Sequence, residues 1–142
     1  MYHTIIVVGR LGRDPEMRYT PSGQAVTTFN VATDYSTKSP DGNWEKKTIW
    51  IRVTVWGKQA ETASQYLKKG REVLVEGRLN PDPGTGGPRI WTRQDGTAGA
   101  SYEITANTVR FIGGRGDAEG GYQSSGSDTS YGSEPDSGEI PF

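Results

Sequence analysis

The residues that most invite a chemical reading are Trp50, Arg52, Thr54 and Trp56, in the stretch IWIRVTVWGK from Ile49 to Lys58. Side chains of an extended strand alternate between faces, so these four share one face while Ile49, Ile51, Val53 and Val55 share the other. The aliphatic face is β-branched throughout and reads as a core face. The opposite face sets an indole on each side of a guanidinium, where a solvated sheet ordinarily carries small polar groups. With a rise of about 3.3 Å per residue, the two indoles lie roughly 20 Å apart and cannot pack on each other. Each needs its own flat partner. A nucleobase is such a partner, because every base has a π-face, and Arg52 and Lys58 place positive charge for phosphates along the same line. Sugar rings and RNA bases also stack on indoles. The competing arrangement buries both indoles under a helix or in a subunit contact. Against it stand the complete aliphatic set on the other face and the cost of burying Arg52 unpaired.

Aromatic residues lie close to cations elsewhere too. Trp91 sits between Arg89 and Arg93, Tyr19 follows Arg18, Trp44 precedes Lys46 and Lys47, and Tyr35 precedes Lys38. Tyr19 and Tyr35 could equally cover a barrel end, Trp44 could fold onto its own loop, and the lysine pair could be a solvated strand edge. Lys58 and Lys69, at the two ends of a helical stretch, complete the candidate cations. Other chemistries find little here. The chain has no cysteine, so disulfides, thiolate nucleophiles and Cys-based zinc sites are excluded. His3 is the single histidine, which removes multi-His metal sites. Gly57-Lys58 is followed by Gln59 and lacks the upstream glycine of a phosphate-binding loop. No enzyme, cofactor or metal is expected.

The elements that must hold these residues are short strands. HTIIVVGRL (3–11) is an apolar run, AVTTFNVATDY (25–35) alternates at period two, and a third strand starts near Lys46 after the turn SPDGN (39–43). GKQAETASQYLKKG (57–70) is the one convincing helix. Ala60, Ala63 and Leu67 share a stripe, Lys68 and Lys69 fall in the last turn, and Gly70 is expected to cap it. REVLVEGRL (71–79) and SYEITANTVRFI (101–112) are further strands. The segments 14–24 and 80–100 read as loops, both rich in Gly and Pro. Five strands with a helix between the third and fourth predict an all-β, five-stranded Greek-key barrel of the OB-fold type.

The net charge of −1 hides a split. Residues 1–112 carry 15 basic and 11 acidic residues, a balance of +4, whereas 113–142 carries −5. The latter segment is Gly, Ser and acid without periodicity, and cannot bury enough apolar surface to offset its ordering entropy. It is expected to be a disordered acidic Gly/Ser-rich C-terminal tail behind a folded domain of residues 1–112. Its tip, EIPF, departs from the rest: Ile140, Pro141 and Phe142 beside Asp136 and Glu139 suit a basic-rimmed apolar pocket on another protein. No apolar run approaches the ~20 residues of a membrane span, and no charged-then-apolar leader precedes the first strand. A cytoplasmic, nucleoid-associated location without membrane contact is expected.

Together these residues resemble the bacterial single-stranded DNA-binding protein family. The stretches carrying the resemblance are VVGRLGRDPEMRYTPSGQAVTTFNVAT (7–33), WIRVTVWGKQAETASQYLKKG (50–70), VLVEGRL (73–79) and the tip DSGEIPF (136–142). The resemblance implies an OB-fold that wraps single-stranded DNA with stacking aromatics at Trp50, Trp56 and Trp91. It also implies a homotetramer and recruitment of replication and repair proteins through the tip. Arg18, Tyr19, Arg52, Lys58, Lys69 and Arg89 are the candidate residues that would accompany those aromatics on DNA.

Overall fold

The computed structural model of the chain describes residues 2–113. Its elements are β1 (Ile5–Leu11), β2 (Glu16–Tyr19), β3 (Ala25–Lys38), β4 (Trp44–Trp56), α1 (Lys58–Tyr66), β5 (Glu72–Leu79), β6 (Arg89–Thr92) and β7 (Ala98–Ile112). The period-two pattern of β4 decides its placement. Val53 and Val55 are fully buried and Ile51 nearly so, with Ile49 packed against the same cluster. On β3, Ala25, Phe29 and Val31 complete that inner face. Val7 and Leu11 of β1, Val73 and Val75 of β5 and Ile104 of β7 close the core from the remaining sides. Each such aliphatic or aromatic side chain contributes about 1.5–3 kcal/mol when fully buried.

The sheet closes on itself. The strand order is β1-β5-β7-β4-β3, and β1 returns to β3 through Arg10 opposite Ala32 and Leu11 opposite Val31. All of these pairings are antiparallel except β4 with β7, which run parallel from Ile51–Tyr102 to Thr54–Thr105. A closed barrel of five long strands, with α1 between the third and fourth of them, is the OB-fold. The helix seals one end with small residues: Ala60 and Ala63 are fully buried, and Leu67 follows them inward. Thr27, the one buried polar core residue among those described, donates from Oγ1 to the Ala60 carbonyl at 2.7 Å. That bond satisfies the hydroxyl and fastens the helix to β3.

Several boundaries differ from the sequence expectations. The segment 14–24 is not wholly loop, because Glu16–Tyr19 pairs with β3 from Glu16–Thr28 to Tyr19–Ala25. This short strand is exposed at every position, so it carries no apolar alternation to betray it. Likewise 80–100 contains β6, which pairs with the start of β7, and β7 itself begins at Ala98 rather than at 101. The helix ends at Tyr66, so Lys68 and Lys69 lie beyond its last turn. Leu67 takes an extended conformation, its N–H still bonded to the Ala63 carbonyl, and its side chain turns into the core. Gly70 does not cap the helix; at φ +83° it directs its N–H to the Leu11 carbonyl, 2.8 Å away. The expected turn at 39–43 is present, with Ser39 N–H bonded to the Asn43 carbonyl at 2.8 Å. It joins β3 and β4 at the tip of a ribbon that extends past the barrel.

Candidate nucleic-acid interface

On the outer face of β4, Trp50, Arg52, Thr54 and Trp56 form the floor of an open groove of about 710 Å³. Trp50 is 54% exposed and Trp56 43%, so neither indole is sealed inside the protein. The register of the sheet sets their neighbours. Trp56 lies opposite Val26, which lies opposite Arg18 on β2, so these three form one row across the groove. Arg52 lies between Asn30 of β3 and Glu103 of β7. Trp50 rests on Gly12, where any Cβ would collide with the indole. The glycine after β1 thus gives the ring a flat support from a distant part of the chain.

The opposite bank comes from the β6–β7 hairpin. Trp91 pairs in register with the buried Gly99, and a Cβ there would come within 2.8 Å of the indole. The ring is 46% exposed, and the Arg93 guanidinium carbon lies 5.2 Å from its centre, within cation–π range. Arg93 is itself held by Thr97 Oγ1 and the Ala98 carbonyl. Arg89 opens β6 and reaches into the groove.

The groove carries four cations, Arg13, Arg18, Arg52 and Arg89, and a single acid, Glu103. Among the described residues Arg18 and Arg52 form no ion pair, which leaves both guanidinium groups available to an anion. Arg13 approaches Glu16 at 3.9 Å, but both side chains are well exposed and such a pair holds weakly. Glu103 is different: its side chain is only 10% exposed. Its carboxylate accepts from Ser101 Oγ at 3.0 Å and Asn80 Nδ2 at 3.4 Å, and lies 3.9 Å from Arg89 Nε. The arrangement offers flat apolar faces separated by positive charge, open along one side.

Of the residues singled out in the sequence, Trp50, Trp56, Trp91, Arg18, Arg52 and Arg89 meet in this groove. Tyr19, Lys58 and Lys69 are exposed but outside its lining. Tyr19 ends β2, Lys58 opens α1, and Lys69 follows the helix with its backbone N–H bonded to Asp14 Oδ1 at 2.8 Å. Tyr35 and Trp44 lie on the β3–β4 ribbon, also outside the lining, where Lys46 pairs with Asp34 at 2.8 Å. Asp136, Glu139, Ile140, Pro141 and Phe142 lie outside the described residues. Glu103, Asn80, Arg13 and Ser101 are groove residues that the sequence pattern did not mark. Only the alternation of Ser101 and Glu103 against the core residue Ile104 hinted at a shared outward face. No cluster of three or more His, Cys, Asp or Glu suited to a metal occurs among the described residues, and no helix there is long and apolar enough to cross a membrane.

Residues 2–112 match the model of the single-strand binding protein family. A single-stranded DNA-binding protein of Neisseria meningitidis is 42% identical over 117 residues, covering 82% of this chain and 63% of that protein. One from Wolinella succinogenes is 38% identical over 139 residues, covering 97% and 80%. The chain therefore spans just under two thirds of some curated relatives and more of others. Among solved structures, a Plasmodium falciparum SSB in complex with ssDNA superposes with a TM-score of 0.64 at 25% identity, covering 80% of this chain and 97% of that one. A deletion mutant of the single-stranded DNA binding protein from Thermus aquaticus gives 0.61 at 28% identity, covering 79% and 51%. The chain belongs to the single-strand binding protein family.

Proposed function

We propose that this protein binds single-stranded DNA with little sequence preference, and protects it during replication, recombination and repair without catalysing a reaction. The observation that carries this reading is the meeting of three half-exposed indoles with unpaired arginines in one open groove. Indoles stack on any base, and the arginines neutralise phosphates between the stacked positions. Among the described residues no recognition helix is presented to a duplex groove, so base-edge readout has little part. The Plasmodium relative, solved with ssDNA on the same fold, supports the assignment.

Titration of intrinsic tryptophan fluorescence with oligo(dT), oligo(U) and a glycan tests it. Strong quenching by oligo(dT) is expected, weakening with salt at a log–log slope of about −0.7 per phosphate contacted. Absence of quenching by oligo(dT), or equal quenching by the glycan, would overturn the reading.

The proposal extends to assembly and recruitment. Ile6 and Val8 on the outer face of β1 are 62% and 45% exposed, which supports subunit pairing through that strand and a homotetramer. Residues 1–112 serve as the DNA-binding domain, and the tip at 136–142, outside the described residues, recruits replication and repair proteins. Removing the tip is expected to abolish partner capture while DNA affinity stays level or rises.

A further inference from the structure

Past the barrel, β3 and β4 run on as a two-stranded ribbon, and the register between them is unbroken from Val26–Trp56 to Lys38–Trp44. Without a bulge, strand alternation carries the groove face of β4 outward through Thr48, Lys46 and Trp44. Across from these, on the same side of β3, stand Asp34, Ser36 and Lys38. Two contacts within that side agree with the register. Asp34 Oδ2 lies 2.8 Å from Lys46 Nζ, and Asp34 Oδ1 accepts from Thr48 Oγ1 at 2.7 Å. Trp44, Trp50 and Trp56 therefore recur every six residues, about 20 Å per step, along one side of a single strand. Tyr35 is on the reverse side, opposite Lys47.

We propose that this side of the ribbon continues the single-strand path, and that a strand leaving the groove past Trp50 stacks a base on Trp44. The inference rests on the reading of the groove given above and adds a position to it. Trp44 is the most exposed of the four indoles, at 73%, and takes no part in the core. Packing within the described domain therefore does not account for it. The charges on this side of the ribbon select the occupant. Asp34 is its single acid, and Lys46 and Thr48 take up both carboxylate oxygens. Lys38, exposed and directly opposite Trp44, forms no ion pair among the described residues. The reverse side differs, since Lys47 there is paired with Glu45 at 3.7 Å. A free cation beside an exposed indole suits a base and its phosphate, as Arg52 does between the groove indoles. The right-handed twist of a ribbon turns its face as it advances, and a single strand, unlike a stiff duplex, can follow that turn.

The test titrates the full chain with oligo(dT) of increasing length. Trp44→Ala is expected to weaken binding of long oligomers about five- to tenfold, and to leave oligomers too short to reach past Trp50 unaffected. Trp44→Phe keeps a stacking ring and is expected to recover most of the loss. Lys38→Gln is expected to flatten the log–log salt slope for long oligomers by about 0.7. Iodouracil-substituted oligo(dT), irradiated on the parent chain, is expected to cross-link at Trp44 as well as at the groove indoles. Trp44→Ala binding as the parent does at every length, with cross-links confined to the groove, would overturn the ribbon site and leave the groove reading standing. Absence of quenching by oligo(dT) of any length, together with indifference to Trp50→Ala, would instead bring down the groove reading, and this proposal with it. A Trp44→Ala chain that sediments at a smaller assembly size would assign Trp44 to a contact between copies, and so overturn its assignment to DNA.

Discussion

Trp50 and Trp91 expose nearly the same fraction of their indoles and both lie across a glycine, yet their mountings differ. Trp50 belongs to a 13-residue strand held between β3 and β7 in the middle of the barrel. Trp91 belongs to a four-residue strand that, among the described residues, pairs with β7 alone. Gly12 reaches Trp50 from the far side of the barrel closure, whereas Gly99 is Trp91's own hairpin partner. One ring stands on a strand paired along both edges. The other stands on a short strand paired along one edge only, with Arg93 over it. Ordering a loosely held group costs part of the interaction it makes, so equal stacking chemistry should yield unequal affinity.

The largest test of that contrast removes the rings. Trp50→Ala and Trp56→Ala should each cost about 1–3 kcal/mol of single-stranded DNA affinity, read by calorimetry with oligo(dT). Trp91→Ala should fall at about 1 kcal/mol or below. A loss at Trp91 equal to that at Trp50 would erase the distinction. A subtler pair of variants keeps the rings and removes their seats. Gly12→Ala should lower affinity, but by less than Trp50→Ala, because the added Cβ pushes the half-exposed indole off its seat while leaving the ring in place to turn toward solvent. Gly99→Ala should cost only a few-fold, about 1 kcal/mol or less, since the hairpin can shift. The two variants' unfolding midpoints, measured alongside, separate a displaced ring from a damaged fold.

The smallest expected effect lies away from both rings, on the β3–β4 ribbon. The hydrogen bond from Lys46, then that from Thr48, holds the Asp34 carboxyl below its usual value of 3.8. A depressed folded-state value means that the pairing stabilises the ribbon above the ordinary aspartate range. The contribution is lost as pH falls through the lowered value. Both partners are solvent-exposed, so the effect on stability is slight. An NMR titration should place the Asp34 midpoint below 3.8, and Lys46→Ala should raise it.

The predictions separate features that were legible in the sequence from those that were not. The core and groove faces of β4 were readable because strand alternation is local: Ile51, Val53 and Val55 could only point opposite to Trp50, Arg52 and Trp56. The same rule set Phe29 and Val31 on one face of β3, and the packing of the barrel turned that face inward. It failed for Glu16–Tyr19 and Arg89–Thr92, which are exposed along their whole length and exist because a longer neighbour offers hydrogen bonds. It also failed at the helix end. Lys68, Lys69 and Gly70 look like a stop signal, but the helix ends where Leu67 turns into the core.

Glu103 shows the limit most plainly. Its alternation against Ile104 gives it an outward face, but it becomes a groove residue only when parallel pairing sets it beside Arg52 and hairpin pairing brings Arg89 to its carboxylate. From residue order alone follow the alternating strands, the stacking-and-cation character of one face and the apolar character of the other, since these depend on spacing within a single element. Barrel closure, the glycine seats beneath Trp50 and Trp91 and the acid in a basic groove were decided by tertiary structure. Each depends on which distant strands become neighbours and in what register, a choice made by the packing of the whole core.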